Sequence, residues 1–220
     1  MRPIAWLEGV VARRRASARR SSAERARPWR ETAYWALDLE TTGLDTATDH
    51  VLSVGLVPVR GGTIRYGERH HTLVRPPVPL DRLPTDGLRA HHILPAELGA
   101  APPIADVVSA VDRRVREGVL VLHHAPLDIA FLTRAYASCG SVWPGPPVVD
   151  TVELAIRAHR LRHRFDPNAP PAAASLDRAR EECGLPPHRA HDALADAVAT
   201  AELFLALVAR LDIVSAGELY

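Results

Sequence analysis

The chain has 220 residues, 47% hydrophobic and 24% charged, a balance that lets one domain bury a proper core. It contains no run of about 18 apolar residues, so no membrane-spanning helix is expected. The two cysteines, Cys139 and Cys183, lie far apart with no CxxC pair, which argues against a disulfide framework or a structural zinc site and for reduced thiols in a cytoplasmic protein.

The net charge of +1 conceals an asymmetry. Residues 1–30 hold nine Arg against Glu8 and Glu24, a balance of +7, while residues 31–220 hold eighteen Arg against twenty-four acids, a balance of −6. The chain thus divides into a basic N-terminal arm (1–30), an acidic domain (31–211) and a short C-terminal tail (212–220). Basic arms either touch nucleic acid or act as solvated leaders, and composition leaves both open. Within the arm, Ile4, Leu7 and Val11 have the spacing of a short amphipathic helix.

From residue 33 the pattern is that of a folded domain. AYWALDLETTGL reads as a strand ending in a turn at Thr41–Gly43, and residues 50–76 as two or three further strands with a tight turn at Gly61-Gly62. The proline-rich stretch 76–103 is expected to be mostly irregular. Ile104, Val107, Val108 and Val111 have helical spacing, VLVLHHAP suits a buried strand, and Leu127, Phe131 and Ala135 resume the helical pattern. VVDTVELAIRAHR predicts a strand leading into a helix, followed by a basic and proline-rich loop over 160–174. SLDRAREECGL predicts a helix capped by Ser175 and closed by Gly184. The longest helix follows His191, with its apolar face expected through Leu194, Val198 and Leu205. Strands first and then helices alternating with strands predict an α/β domain with a mixed sheet.

Three acidic elements stand out. Asp38 and Glu40 are one residue apart on a strand, so they share a face while Leu37 and Leu39 take the other. Such a pair either binds a divalent cation through hard oxygen ligands or sits in solvent at a turn. Asp128 opens a helix, as a ligand or as a complement to the helix dipole. In HRAHDALADA, His191 and Asp196 are five apart, about 140° around an ideal helix, so His191 is expected in the loop and Asp196 within the helix. Asp192 competes with Asp196 for any role.

Taken together and in order, LDLETTGL, HHAPLDIAFL and HRAHDALADA resemble the motifs of the DnaQ-like exonucleases. More narrowly they are similar to the subgroup with four acids and a histidine five residues before the last acid (DEDDh). VVDTVELA is also similar to a segment found between the second and third motifs, and the resemblance spans roughly residues 33–210. It implies an RNase H-like sheet flanked by helices and a two-metal 3′→5′ exonuclease of the epsilon proofreading type, using Mg2+ or Mn2+ and releasing nucleoside 5′-monophosphates. Asp38, Glu40, Asp128 and Asp196 would be the metal carboxylates, with Asp38 bridging, Glu40 and Asp196 completing one ion and Asp128 holding the other directly or through water. His191 would be the general base.

Thr41 falls where the family positions the terminal nucleotide, Leu44 could wedge against the last bases, and His91, with His92 as the alternative, would pack against the strand end. His124 and Leu127 replace the family's usual Asn and Phe, a departure that bears on substrate fit. The basic arm with Arg160, Arg162 and Arg164 would draw in nucleic acid. DNA is favoured over RNA as the strand trimmed. A non-catalytic binding module is the alternative from another class, and a polymerase or other protein could associate through the arm or the tail.

Overall fold

The computed structural model of the protein describes residues 21–84, 91–116, 118–166 and 168–220, so the helix expected around Ile4, Leu7 and Val11 lies outside the described residues. A short helix α1 (Ser22–Ala26) starts with a Ser21–Glu24 capping box and leads to β1 (Tyr34–Thr41). β2 (Val51–Arg60) turns at Gly61 and Gly62, with φ of 60° and 78°, into β3 (Thr63–Ile64). Positive φ at both central residues is what a two-residue hairpin turn requires. β4 (His70–Leu73) follows, then α2 (Pro95–Ala100), α3 (Ile104–Val115), β5 (Val119–Leu122) and α4 (Ala125–Ser138). β6 (Val148–Asp150), α5 (Thr151–Arg162), α6 (Leu176–Glu182) and α7 (Ala193–Arg210) complete the order.

The strands form one mixed sheet in the order β3-β2-β1-β5-β6, with β4 also on β2. β1, β5 and β6 run parallel, and β2 is antiparallel to β1. This is the RNase H-like architecture, with a meander followed by strand–helix crossovers. Alternation along β1 splits the core in two. Tyr34 and Ala36 face α5 and α7, packing with Val57, Val121, Leu203, Phe204 and Leu207. Trp35 and Leu37 face α3 and α4, packing with Val107, Val111, Leu120 and Phe131. Asp38 and Glu40 therefore continue the face that α7 covers.

Four details differ from expectation. The stretch 76–103 is not wholly irregular: it holds a 3-10 turn at Leu80–Arg82 and α2. Pro95 stands at the start of α2, where a missing N–H costs nothing, and Glu97 accepts from the Leu94 amide. Leu98 then docks fully buried against Leu52 and Leu83. Ser175 precedes α6 but makes no side-chain cap, whereas Gly184, at φ 73°, does close it. α5 runs on to Arg162, three residues into the predicted loop.

The fourth difference matters most. The buried face of α7 runs through Ala193, Ala197, Thr200, Ala201, Phe204, Leu207 and Val208, while Leu194, Val198 and Leu205 are only partly buried. Small residues hold the first turns of that face, where the helix lies close on the sheet, and Phe204, Leu207 and Val208 take over further along. The core also reaches past residues 31 and 211, taking in Trp29 from the arm side and Ile213 and Leu219 from the tail side. Trp29 N–H donates to the Val214 carbonyl and Ala216 N–H to that of Arg27, so the two ends clasp each other.

Gly55 sets how close α7 comes. It pairs with Asp38 in the β1–β2 register, and a Cβ there would overlap the Ala193 carbonyl and the Leu194 nitrogen, both backbone atoms. Gly55→Ala should therefore lower stability by about 1–3 kcal/mol, the usual cost of overpacking. Denaturant unfolding checks this, and an unchanged midpoint would show that α7 has room to shift.

Candidate active site

Asp38 and Glu40 stand toward the C-terminal end of β1. Opposite Glu40 the β1–β2 register slips, Glu40 pairing with Ser53 but Thr41 with Val51, which leaves Leu52 as an extra residue. Such a bulge re-aims the side chains beside it. Glu40 is 5% exposed there, and its Oε1 is buried without a hydrogen-bond partner.

α7 delivers Asp196 to the same place. Asp192 is the N-cap, its Oδ1 accepting from the Leu194 (3.1 Å) and Ala195 (3.0 Å) amides, so the competition between the two acids is divided by position. Asp196 lies one turn deeper. Its Oδ2 accepts from the His191 backbone amide at 2.9 Å, and its Oδ1 lies 2.6 Å from His188 Nε2. His191 sits in the loop before the helix with φ 67°, a left-handed conformation that points its amide at Asp196. Asp38, Glu40 and Asp196 each offer an oxygen within 4.8 Å of the others.

Asp128 arrives from the first turn of α4. His124, just before that turn, has φ 68°, a left-handed region that His, like Asn, visits more readily than most residues. The turn is clamped by Asp150, whose carboxylate accepts from the His124, Ala125 and Val152 amides and so joins the starts of α4 and α5. His123 is buried toward its neutral form and bridges the Thr151 hydroxyl and the Ala174 carbonyl.

The acids are held against their charge. Burial pushes the Asp128 carboxyl up to about 8 against its own backbone hydrogen bond, with the charges of Asp150 and Glu40 adding to the rise. Asp38 is raised well above the usual carboxylate range by burial and then by Asp128, Glu40 and Asp196. Asp196 is raised by burial, which His188 and the His191 amide oppose.

Around this centre, His91 and not His92 reaches the strand end. Its Nε2 lies 3.0 Å from the Thr41 carbonyl and its Nδ1 2.5 Å from Glu40 Oε2. His92 is exposed. The His191 ring stands edge-on to His91 with centroids 6.0 Å apart. Thr41 is buried and donates its hydroxyl to the Gly43 carbonyl at 2.7 Å. Leu44 is 77% exposed on the loop that Asp49 ties down through Thr42 Oγ1 and the Asp45 amide. Arg160 near the end of α5 and Arg164 just beyond it line a cleft of about 560 Å³ with His159 and His163, whereas Arg162 is exposed outside it.

Three contributors were missed from the sequence: Asp150, His188 and Gly55. Asp150 had a signal, since an acid two residues before Val152 at a strand-to-helix junction has N-cap spacing. His188 had none, because its contacts to Asp196 and to Asp177 (3.3 Å) depend on how the segment before α7 folds back.

Residues 35–204 match the RNase_T exonuclease family. An epsilon-like DNA polymerase III subunit of Rhodobacter capsulatus is 33% identical over 187 residues, covering 84% of this chain and 25% of that protein. The DNA polymerase III subunit epsilon of Treponema pallidum is 32% identical over 182 residues, covering 81% of this chain and 77% of that protein. Among solved structures, E. coli exonuclease I in complex with a dA16 oligonucleotide aligns with a TM-score of 0.68 at 18% identity, over 82% of this chain and 42% of that one. The chain thus spans about a quarter of the first relative and most of the second. A family match over residues 35–204, with a relative 32% identical that is covered over most of its length, leaves one assignment: the chain belongs to the RNase_T exonuclease family, the DnaQ-like 3′–5′ exonucleases.

Proposed function

We propose that this protein removes nucleotides one at a time from the 3′ end of DNA, single-stranded or frayed, using two divalent metal ions. The observation that carries this reading is the convergence of Asp38, Glu40 and Asp196 at the end of β1, with Asp128 buried alongside. The donor set fits a hard cation. All ligands are carboxylate oxygens, Glu40 Oε1 is buried with no partner, and the raised affinities of Asp38 and Asp128 for protons mark a missing positive charge. Magnesium or manganese held by these four acids would stabilise charge on the phosphate and on the leaving oxygen and acidify the attacking water.

The chain's own groups do the rest. His191 is exposed at the mouth of the cluster, where its imidazole can take a proton from the attacking water. The Asp196 carboxylate is oriented by the His191 amide and His188. His91 meets the Thr41 carbonyl beside the centre, and Leu44, three residues on, is exposed; both side chains suit stacking against an unpaired terminal base. DNA is favoured because the relatives are named as DNA polymerase III subunits and the structural neighbour holds a DNA oligonucleotide. Those relatives also make a polymerase the favoured protein partner.

Incubation with 5′-labelled single-stranded DNA or matched RNA should give a ladder shortening from the 3′ end in Mg2+ or Mn2+, faster on DNA. The ladder should vanish with EDTA and in an Asp38→Ala/Glu40→Ala variant. A folded protein that cuts neither strand in either metal would overturn the assignment. His191→Ala should slow cleavage by roughly 10²–10⁴ while leaving strand binding in place, measured by single-turnover kinetics.

A pH prediction follows from Asp128. Its carboxyl titrates near 8 in the fold and near 3.9 in the unfolded chain. Between those values the folded form holds the extra proton, so the cost of burying this carboxylate is absent below about pH 4 and grows as pH rises toward about 8. The melting temperature of metal-free protein should drop across this window, and Asp128→Asn should flatten part of the drop. Mg2+ should raise it more at pH 8 than at pH 5. A metal-free melting temperature that is flat in both proteins would contradict the burial of that charge.

A further inference from the structure

Glu40, His91 and His191 form a second donor group, distinct from the all-carboxylate cluster but sharing Glu40 with it. One ligand atom from each lies within 4.8 Å of the others. Two imidazoles and one carboxylate are a poor set for magnesium, which prefers oxygen, and a good one for zinc. Zinc bonds of about 2.0–2.2 Å to N and O put tetrahedral ligand atoms about 3.3 Å apart, so the trio is within a side-chain adjustment of coordination.

The His91 environment supplies an independent sign. Its Nε2 sits 3.0 Å from the Thr41 carbonyl, which fixes the proton on Nε2 and leaves Nδ1 facing Glu40. A histidine anchored through one nitrogen to a backbone carbonyl, with the other turned toward a carboxylate, has the arrangement found around metal-bound imidazoles. Glu40 is almost wholly buried, and its Oε1 has no hydrogen-bond partner. The His191 ring makes no hydrogen bond among the described residues and stands edge-on to His91.

We infer that Glu40, His91 and His191 form a zinc site that overlaps the catalytic centre and holds the enzyme inactive while occupied. Three protein ligands leave a fourth position open. Zinc there engages the lone pair with which His191 would accept a proton and withdraws Glu40 from the carboxylate cluster. The inhibitory consequence rests on the exonuclease reading; the site itself does not.

Zinc affinity, measured by competition with a chromophoric chelator, separates the possibilities. Wild type should take up one zinc at this site. His91→Ala and His191→Ala should each weaken it at least 10-fold, while Asp38→Asn, which damages only the carboxylate cluster, should change it by less than 3-fold. Cobalt(II) substituted into wild type should give the strong visible bands of a four-coordinate site with nitrogen ligands, a readout that needs no variant to fold. Weakening by Asp38→Asn but not by His91→Ala would put zinc among the carboxylates and overturn the inference. So would the absence of zinc binding or of the cobalt bands. In Mg2+, micromolar zinc should slow wild-type cleavage at least 10-fold. Zinc that binds the histidines without slowing a Mg2+-active enzyme would refute the inhibition. No cleavage in Mg2+ alone would refute the exonuclease reading and leave the binding result standing.

Discussion

Like charges confined together are the condition to which the rest of this molecule answers. Asp38, Glu40 and Asp196 lie within 4.8 Å of one another, with Asp128 buried beside them. Two unit charges about 4 Å apart repel by about 4 kcal/mol at an effective dielectric near 20, and a whole domain is stable by only about 5–15 kcal/mol. The cluster therefore persists because two apolar cores hold β1 between α7 on one face and α3 and α4 on the other. Gly55 contributes by absence, since a methyl group there would hold α7, and with it Asp196, away from the strand.

Support of a different kind comes from groups that would never touch a substrate. Asp150 spends its carboxylate on three backbone amides and so fixes where α4, and therefore Asp128, begins. His188 links Asp177 on α6 to Asp196 on α7. His124 and His191 both take left-handed backbone conformations directly before the helices that carry Asp128 and Asp196. Strain of that kind survives only where surrounding structure insists on it, and here the insistence comes from hydrogen bonds to Asp150 and Asp196.

Much of this was legible in the sequence because two periodicities carry it. Period two along β1 put Asp38 and Glu40 on one face, and the structure shows that face turned to α7. The five-residue gap between His191 and Asp196 placed one in the loop and the other in the helix, as observed. What periodicity could not carry was depth. In α7 Leu194, Val198 and Leu205 suggested the buried stripe, yet the buried face is small at its start, where the helix lies close on Gly55, and passes to Leu203, Phe204, Leu207 and Val208 further along. The choice between His91 and His92 was likewise invisible. Adjacent histidines look alike in a sequence, and only the path of the backbone into α2 decides which one meets Thr41. The helix inside the proline-rich stretch 76–103 was hidden because a proline such as Pro95 breaks a helix or starts one depending on whether it stands first or later in a turn.

The pairing pattern also dictates the order in which the molecule can come into being. β1 finds its antiparallel partner β2 close by in the chain, but its parallel neighbour β5 comes more than 75 residues after it, and α7 follows later still. Contacts so distant in sequence form slowly, because a long loop must close before they yield any return. A chain emerging from its ribosome thus exposes Asp38 and Glu40 long before Asp196 exists to join them. A partly made copy holds half a set of ligands and no helix to aim the rest, so its cutting edge is assembled only when nearly the whole domain has been synthesised.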